Sequence, residues 1–377
     1  MDFELSEEQN LIRDVAARFL EDNWSSDIRR KGLDEPPATI PSELWSEIAA
    51  MGWLGISVGE DVGGGAQDML SAAILAEAAG AALLPGPLIS TMAAVTALDR
   101  SGNQSLRNAH IRALIQGDKR ATLAVEEANG CWGPDRVEAR AVLASDGSGT
   151  LTGTKILVPD GDGADLFLVA ARLPDGLGLI AIAGDAPGLS VTPMRRMDGQ
   201  AVVEVQLDGV PFDENAILAS TDGDAERVLR EAYDFWSVLL AADLLGISSA
   251  VLEITTEYAK ERVQFGRPIG SFQAVSHKLA DNLVDVEIGR SLLYGACLAL
   301  DEEAPDREVL VSAAKAYLSD TAVSVSESGL QLHGGIGYTW ELDIHLYLRQ
   351  ARCNAASLGD AAHHRERAAT YLADSFG

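Results

Sequence analysis

The spacing of the apolar residues changes twice along the chain, and those two changes constrain the fold more than any single motif. Up to about residue 118 the spacing is helical. Ser6 with Gln9 forms a capping box, which marks a helix start, and Leu11, Ile12, Val15, Phe19 and Leu20 then recur every three or four positions. Further helices are expected from Pro41 to Met51 and over the Ala-rich stretch from Ser71 to Leu84. Gly63, Gly64 and Gly65 break the pattern between them. After Lys119 the texture becomes short apolar or alternating runs separated by Gly, Asp and Pro. These runs are Ala121–Val125, Val137–Leu143, Leu151–Val158, Leu166–Ala171, Leu179–Ala183 and Ala201–Leu207. Such punctuation predicts an antiparallel β-domain. Near Asp224 the helical spacing returns. It runs to about Gly266, from Ser271 to about Leu300, from Pro305 to Gly334, and from Asp360 onward. Four long helices with short connections predict a bundle. The expected class is therefore α+β: an N-terminal helical domain over 1–118, a middle antiparallel β-domain over 119–223, and a C-terminal four-helix bundle over 224–377.

Composition narrows the function. A chain of 377 residues, nearly half of them hydrophobic, is long enough for two or three domains and a large core. Its formal net charge of -28 argues against nucleic acid and anionic membrane surfaces, both of which need basic patches. No apolar run reaches the ~20 residues of a membrane span. The start, MDFELSEEQN, has neither the basic beginning nor the apolar core of a signal peptide. Cys131, Cys297 and Cys353 are odd in number and far apart, so they match neither a disulfide framework nor a metal-ligand spacing. A reducing cytoplasm fits best. His363 and His364 with Glu366 supply no closed ligand set, so no metal is expected. Asp61–Gly65 reads as a loop and not a phosphate cradle, because no strand leads into it.

Two C-terminal segments carry chemistry. The stretch 258–273 reads YAKERVQFGRPIGSFQ, and 331–338 reads QLHGGIGY. Arg262 closes a helix, and Gly266 and Gly270 bend the chain after it. A guanidinium there can make bidentate contacts to a phosphate. Gly334 and Gly335 remove side chains, so that backbone N–H groups can approach an anion. Taken alone, Arg262 reads as a helix C-cap cation and Gly334-Gly335 as a helix stop. Together, in this order and within a helix–β–helix layout, they closely resemble signature segments of the acyl-CoA dehydrogenase family. The resemblance covers essentially the whole chain and is strongest after about residue 240. It implies FAD as cofactor, with Arg262, Phe265, Gln273 and the stretch Gln331, Leu332, His333, Gly334 and Gly335 as cofactor-binding positions. That FAD belongs largely to a neighbouring subunit, so the resemblance also implies a homo- or hetero-oligomer, dimer or tetramer.

The family oxidises an acyl-CoA thioester to the 2,3-enoyl-CoA. A desolvated carboxylate removes the proton beside the carbonyl, a hydride leaves for the flavin, and electrons pass to an electron-transferring flavoprotein. This sequence departs from the family where that chemistry is done. The usual base is an acidic residue directly followed by Gly, shortly before the last helix; here the pair is Leu358-Gly359. The alternative base position and its neighbouring Arg match Trp236 and Ser237. At the flavin ring, members carry a Thr-Glu-Pro-Gly type run and a Trp/Phe-Ile-Thr-Asn run. The matching residues are Val125-Glu126-Glu127-Ala128 and Leu157-Val158-Pro159-Asp160. A Glu in place of Thr brings negative charge near a ring that must accept a hydride unless it turns away, and Pro159 removes a backbone donor.

Asp360 is the best substitute base, two residues past the usual position, with an N-cap of the last helix as its structural reading. Asp234, Asp243 and Glu126 are weaker candidates. Phe235 and Trp236 are expected in the core, and His333 is expected to shape the glycine loop. The sequence thus supports a working dehydrogenase with a displaced base. It equally supports a non-catalytic partner subunit of a heteromeric α2β2 dehydrogenase that completes the other chain's FAD site. A flavin oxidase on the same fold is a third reading.

Overall fold

The structure is a computed structural model, and it describes residues 4–34, 40–129, 132–219 and 224–376. Cys131 lies outside the described residues. Six helices come first: α1 (Glu7–Asn23), α2 (Ser26–Asp34), α3 (Ser42–Ala50), α4 (Met69–Ala82), α5 (Leu88–Arg100) and α6 (Gln104–Ile115). Eight strands follow: β1 (Ala121–Ala124), β2 (Arg140–Leu143), β3 (Ser148–Pro159), β4 (Leu166–Leu173), β5 (Gly176–Ala183), β6 (Leu189–Met194), β7 (Val202–Asp213) and β8 (Ile217–Leu218). Then come α7 (Ala225–Glu261), a hairpin of β9 (Val263–Gln264) and β10 (Arg267–Pro268), α8 (Gln273–Asp301), α9 (Arg307–His333), α10 (Ile344–Ala356) and α11 (Ala361–Phe376). The capping box at Ser6 and Gln9 forms as read from the sequence, with both reciprocal bonds present.

The chain divides into two compact units. One comprises Met1–Lys31, Met69–Leu84 and Ser237–Gly377; the other comprises Gly32–Asp68 and Pro85–Trp236. The helices before residue 118 are therefore shared between the units, and the division falls inside α7.

In the first unit α9 packs against α8, α10 and α11. Val311, Leu318 and Val325 on α9 are fully buried at seven-residue spacing, with the small Ala314 and Ala322 between them. That repeat keeps one seam of α9 facing its neighbours. Helices α4 and α7 touch backbone to backbone. A Cβ on Gly80 would collide with the main chain of Asp243, and a Cβ on Gly246 with the main chain of Glu77. Two reciprocal glycines thus set this crossing. Arg290 of α8 donates to Glu77 of α4 at 2.6 Å, which fixes the neighbouring turn.

The second unit is built on the eight-stranded sheet, in the order β6-β7-β3-β2-β4-β5-β8 with β1 beside β4. It is mixed, where the strand pattern predicts an antiparallel sheet. β1 runs parallel to β4 from Ala121↔Leu166 to Ala124↔Val169, and β2 meets β4 in parallel at Arg140↔Arg172. The hairpin of β2 and β3 separates β1 from β4 in sequence, which leaves room for a crossover. Every residue of β1 is buried, as are the first six of β4. Such strands, covered on both faces, read as continuous apolar runs.

Candidate functional site

Three places are relevant, two in the first unit and one in the second. The first is the α7–α8 connection. α7 ends at Glu261, and the Arg262 N–H still donates to the Tyr258 carbonyl at 2.8 Å. The Arg262 carbonyl then accepts from Ile269 N at 2.8 Å, closing the β9–β10 hairpin. The turn residues Phe265 and Gly266 have φ of +53 and +82. Two consecutive left-handed residues define the tight turn that matches strand twist in a two-residue hairpin. It leaves the Phe265 ring 93% exposed, edge-on to Phe272 at 6.1 Å between centroids. The Arg267 guanidinium lies 4.1 Å over the Phe272 ring, a cation–π contact the sequence did not advertise. Arg262 is exposed and makes no ion pair among the described residues. Gln273, the first residue of α8, is exposed as well.

At the end of α9, Gln331 is exposed and Leu332 half-buried, while His333 is buried. The His333 ring stacks on Tyr258, with centroids 4.3 Å apart. Nδ1 lies 2.8 Å from the Gly329 carbonyl. A carbonyl can only accept, so Nδ1 carries the proton, and burial holds the ring's pKa down and keeps it neutral. Nε2 is then a bare acceptor, buried and without a partner. Gly334 has φ +64 and terminates α9, and a Cβ on either Gly334 or Gly335 would meet open space. This region thus offers an uncommitted cation at Arg262, open main chain at Gly334 and Gly335, and an unused acceptor at His333. That set fits an anionic nucleotide.

The second place is the turn between α10 and α11. Leu358 is 2% exposed and has φ +55, followed by Gly359 at φ +98. A buried leucine in the left-handed region is strained and persists only where its surroundings fix it. Two buried side chains do so. Lys315 of α9 directs Nζ at the carbonyls of Asn354, Ala355 and Gly359, at 3.2, 3.3 and 3.2 Å, and at Ser319 Oγ. His364 of α11 donates Nε2–H to the Leu358 carbonyl at 3.0 Å. Burial pushes the Lys315 amine down to about 7, the Asp360 charge opposing, and pushes His364 down to about 2, helped by Lys315. Asp360 is exposed, and its Oδ1 accepts from His363 N at 2.8 Å. That is the geometry of an N-cap for α11.

The other carboxylates are embedded. Asp243 is buried and accepts from Asn354 Nδ2 at 2.7 Å and Gln350 Nε2 at 3.3 Å. Asp234 is buried, as are Phe235, Trp236 and Ser237 along α7. No group of three or more metal-ligating side chains occurs among the described residues.

The third place follows β1. Glu127 turns inward and pairs with the fully buried Lys155 at 2.5 Å, and it also accepts from the backbone N–H groups of Glu138 and Ala139. Lys155 donates to the Val125 carbonyl at 3.1 Å, and Ile156 N donates to the Glu126 carbonyl at 2.9 Å. Burial pushes the Glu126 carboxyl up to about 7, with Lys155 opposing. The negative charge expected near a flavin ring is therefore reduced in two ways: Glu127 is neutralised by Lys155, and Glu126 is held towards its neutral form. Register shifts interrupt β3 against β7 between Lys155 and Val158, and Leu157 and Asp160 have φ of +53 and +54. Asp160 accepts from Ser90 Oγ at 2.6 Å.

Comparison with known proteins matches these features to a family. The acyl-CoA dehydrogenase C-terminal domain model matches residues 223–372, and the N-terminal domain model matches residues 6–118. The benzylmalonyl-CoA dehydrogenase of Aromatoleum aromaticum is 30% identical over 362 residues, covering 93% of this chain and 94% of that one. Among solved structures, the ChsE4-ChsE5 complex from Mycobacterium tuberculosis superposes with a TM-score of 0.91 at 28% identity, covering 99% of each chain. PigA with FAD and proline superposes with a TM-score of 0.89 at 27% identity, again covering 99% of each chain. The chain belongs to the acyl-CoA dehydrogenase family of oxidoreductases, whose cofactor is FAD.

The two sequence motifs contain every residue of the first place except Gly329, but neither the Arg267–Phe272 contact nor the His333–Tyr258 stack could be read from them. They missed the clamp of Lys315 and His364. A lysine within an Ala-rich helix carries no sign of its burial, and the His pair was weighed only as a metal-ligand set.

Proposed function

We propose that this chain is a subunit of an FAD-dependent acyl-CoA dehydrogenase, and that it is the member that completes another chain's cofactor site without abstracting the proton itself. The assembly oxidises an acyl-CoA thioester to the 2,3-enoyl-CoA and passes the electrons to an electron-transferring flavoprotein. FAD, when bound, supplies the hydride acceptor.

The observation that carries this reading is Leu358. The turn that would present the base is built and clamped, yet the side chain it presents is aliphatic and buried. A general base must be a titratable group within reach of the proton it removes. Asp360 is occupied as a helix cap and is open to water, so it lacks the desolvation the reaction requires. Arg262, Phe265, Gln273 and the run from Gln331 to Gly335 are the residues this chain lends. The Arg262 guanidinium takes the phosphates, and the open main chain at Gly334 and Gly335 approaches the nucleotide. The two-chain ChsE4-ChsE5 complex supports the heteromeric arrangement.

Co-expression with a homologue that carries Glu at the position of Leu358 tests the reading. A stable complex should form, and Arg262→Ala in this chain should lower its FAD content. Asp360→Asn keeps the cap and removes the carboxylate. Loss of flavin reduction in that variant, with FAD still bound, would return the base to Asp360 and sink the proposal.

A further inference from the structure

Helix α8 is apolar on more faces than the fold uses. Val286, Gly289 and Leu293 are buried, and Gly289 lies against Leu318 of α9, while Leu283, Val284 and Ile288 on the remaining faces are exposed. A helix that is apolar all round is normally covered. Between α7 and α8 runs an open groove made of two adjoining cavities of about 450 Å³ each, which share Thr256 and Leu279. Leu252, Leu279, Leu283 and Val286 give it an apolar floor. On α7 it extends from Ser249 to Lys260, which at roughly 1.5 Å per residue is about 16 Å, or about three helical turns. One end lies at Pro268, Gly270 and Ser271, beside the hairpin that carries Arg262 and the exposed Phe265. The rim is acidic. Glu253 makes no ion pair among the described residues. Glu257 is paired with Lys260 at 2.6 Å, and Glu287 lies 3.5 Å from Arg290, whose shorter bond of 2.6 Å goes to Glu77. Carboxylates therefore outnumber cations along the groove.

We propose that this groove seats a helix of the partner subunit, the homologue that carries the carboxylate, with an apolar ridge against the floor and Lys or Arg facing Glu253 and Glu287. This docking rests on the heteromeric reading above and deepens it by naming the surface and the sign of charge that choose the partner. Apolar residues at i, i+3 or i+4, and i+7 of the incoming helix fill a groove of this length. The floor supplies affinity. The rim supplies selection, because charge complementarity contributes to specificity more than to affinity. A second copy of this chain would bring the same acidic rim to a symmetric contact, in a protein whose net charge is already -28. Like charges set face to face reject that partner. A helix seated here lies next to the hairpin of Arg262 and Phe265, so docking and completion of the cofactor site share one surface.

The test co-expresses the full chain with a homologue that carries Glu at the position of Leu358, and measures the dissociation constant of the complex by analytical ultracentrifugation. Leu283→Asp should weaken the complex by about tenfold or more. Glu253→Lys should weaken it by about threefold or more at low salt, and by less at high salt, where the charges are screened. Circular dichroism of each variant alone reports whether it folds, and Glu253→Lys decides if Leu283→Asp does not. Wild-type affinity in either folded variant overturns the inference and leaves the heteromeric reading standing. A homodimer of this chain that Leu283→Asp dissociates would seat a second copy in the groove and overturn it too. Wild-type chains that form no complex at all overturn the heteromeric reading and the docking with it.

Discussion

Leu358 is a buried aliphatic residue held in a left-handed turn. A left-handed conformation at a non-glycine residue costs roughly 1–2 kcal/mol, and here Lys315 and His364 hold it in place. His364 makes this clamp acid-sensitive. Its folded pKa of about 2 lies below the usual 6.5, so below pH 6.5 the unfolded chain takes up a proton that the folded ring refuses. Stability from this group is present above pH 6.5 and is lost as the pH falls. His364→Gln keeps a donor for the Leu358 carbonyl and removes the titration. Relative to wild type, it should gain about 2–3 kcal/mol between pH 7 and pH 4.5 in urea melts. Glu126 has the opposite sign. Its folded pKa of about 7 lies above the usual 4.5, so wild type loses stability as the pH rises between those values. Glu126→Gln should therefore gain up to about 3 kcal/mol relative to wild type on going from pH 4.5 to pH 8, read the same way. At this scale the motif residues were legible because glycine and arginine spacing survives in the sequence. The buried titratable groups were not, because burial is a tertiary fact: nothing in the sequence shows that Glu127 pairs with a fully buried Lys155.

Length and punctuation made elements legible, and α7 was read although residues 232–248 are buried all round. The long helices α7, α8 and α9 and most strands announced themselves, whereas α5 did not. Ten of its residues are buried, so it lacks an apolar stripe against a polar one. The sheet's mixed pairing was hidden for a related reason, since alternation reports which face is buried and says nothing of strand direction. The α4–α7 crossing is also invisible in sequence, because a glycine within a helix reads only as a weak position. Gly246→Ala would drive a methyl into the Glu77 carbonyl. Overpacking against backbone typically costs 1–3 kcal/mol and occasionally more. Thermal melts should show Gly246→Ala less stable by at least about 2 kcal/mol, and an unchanged melting temperature would mean that the two helices do not touch there.

For the whole molecule, the layout of helices, strands and helices and the two C-terminal segments identified the family. On the reading proposed above, the chain's part in the reaction turns on one position, where the sequence has Leu358. What the structure adds is that the turn around it is intact and that Asp360 is engaged as a cap. If the proposed reading holds, this chain does not start the reaction by itself. The most direct measurement is anaerobic bleaching of flavin absorbance by a panel of acyl-CoA thioesters. It would compare the FAD-loaded chain alone with its complex with a homologue carrying the carboxylate. The chain alone should show no bleaching with any thioester, and the complex should bleach. Bleaching of the chain alone by any of them would contradict that reading.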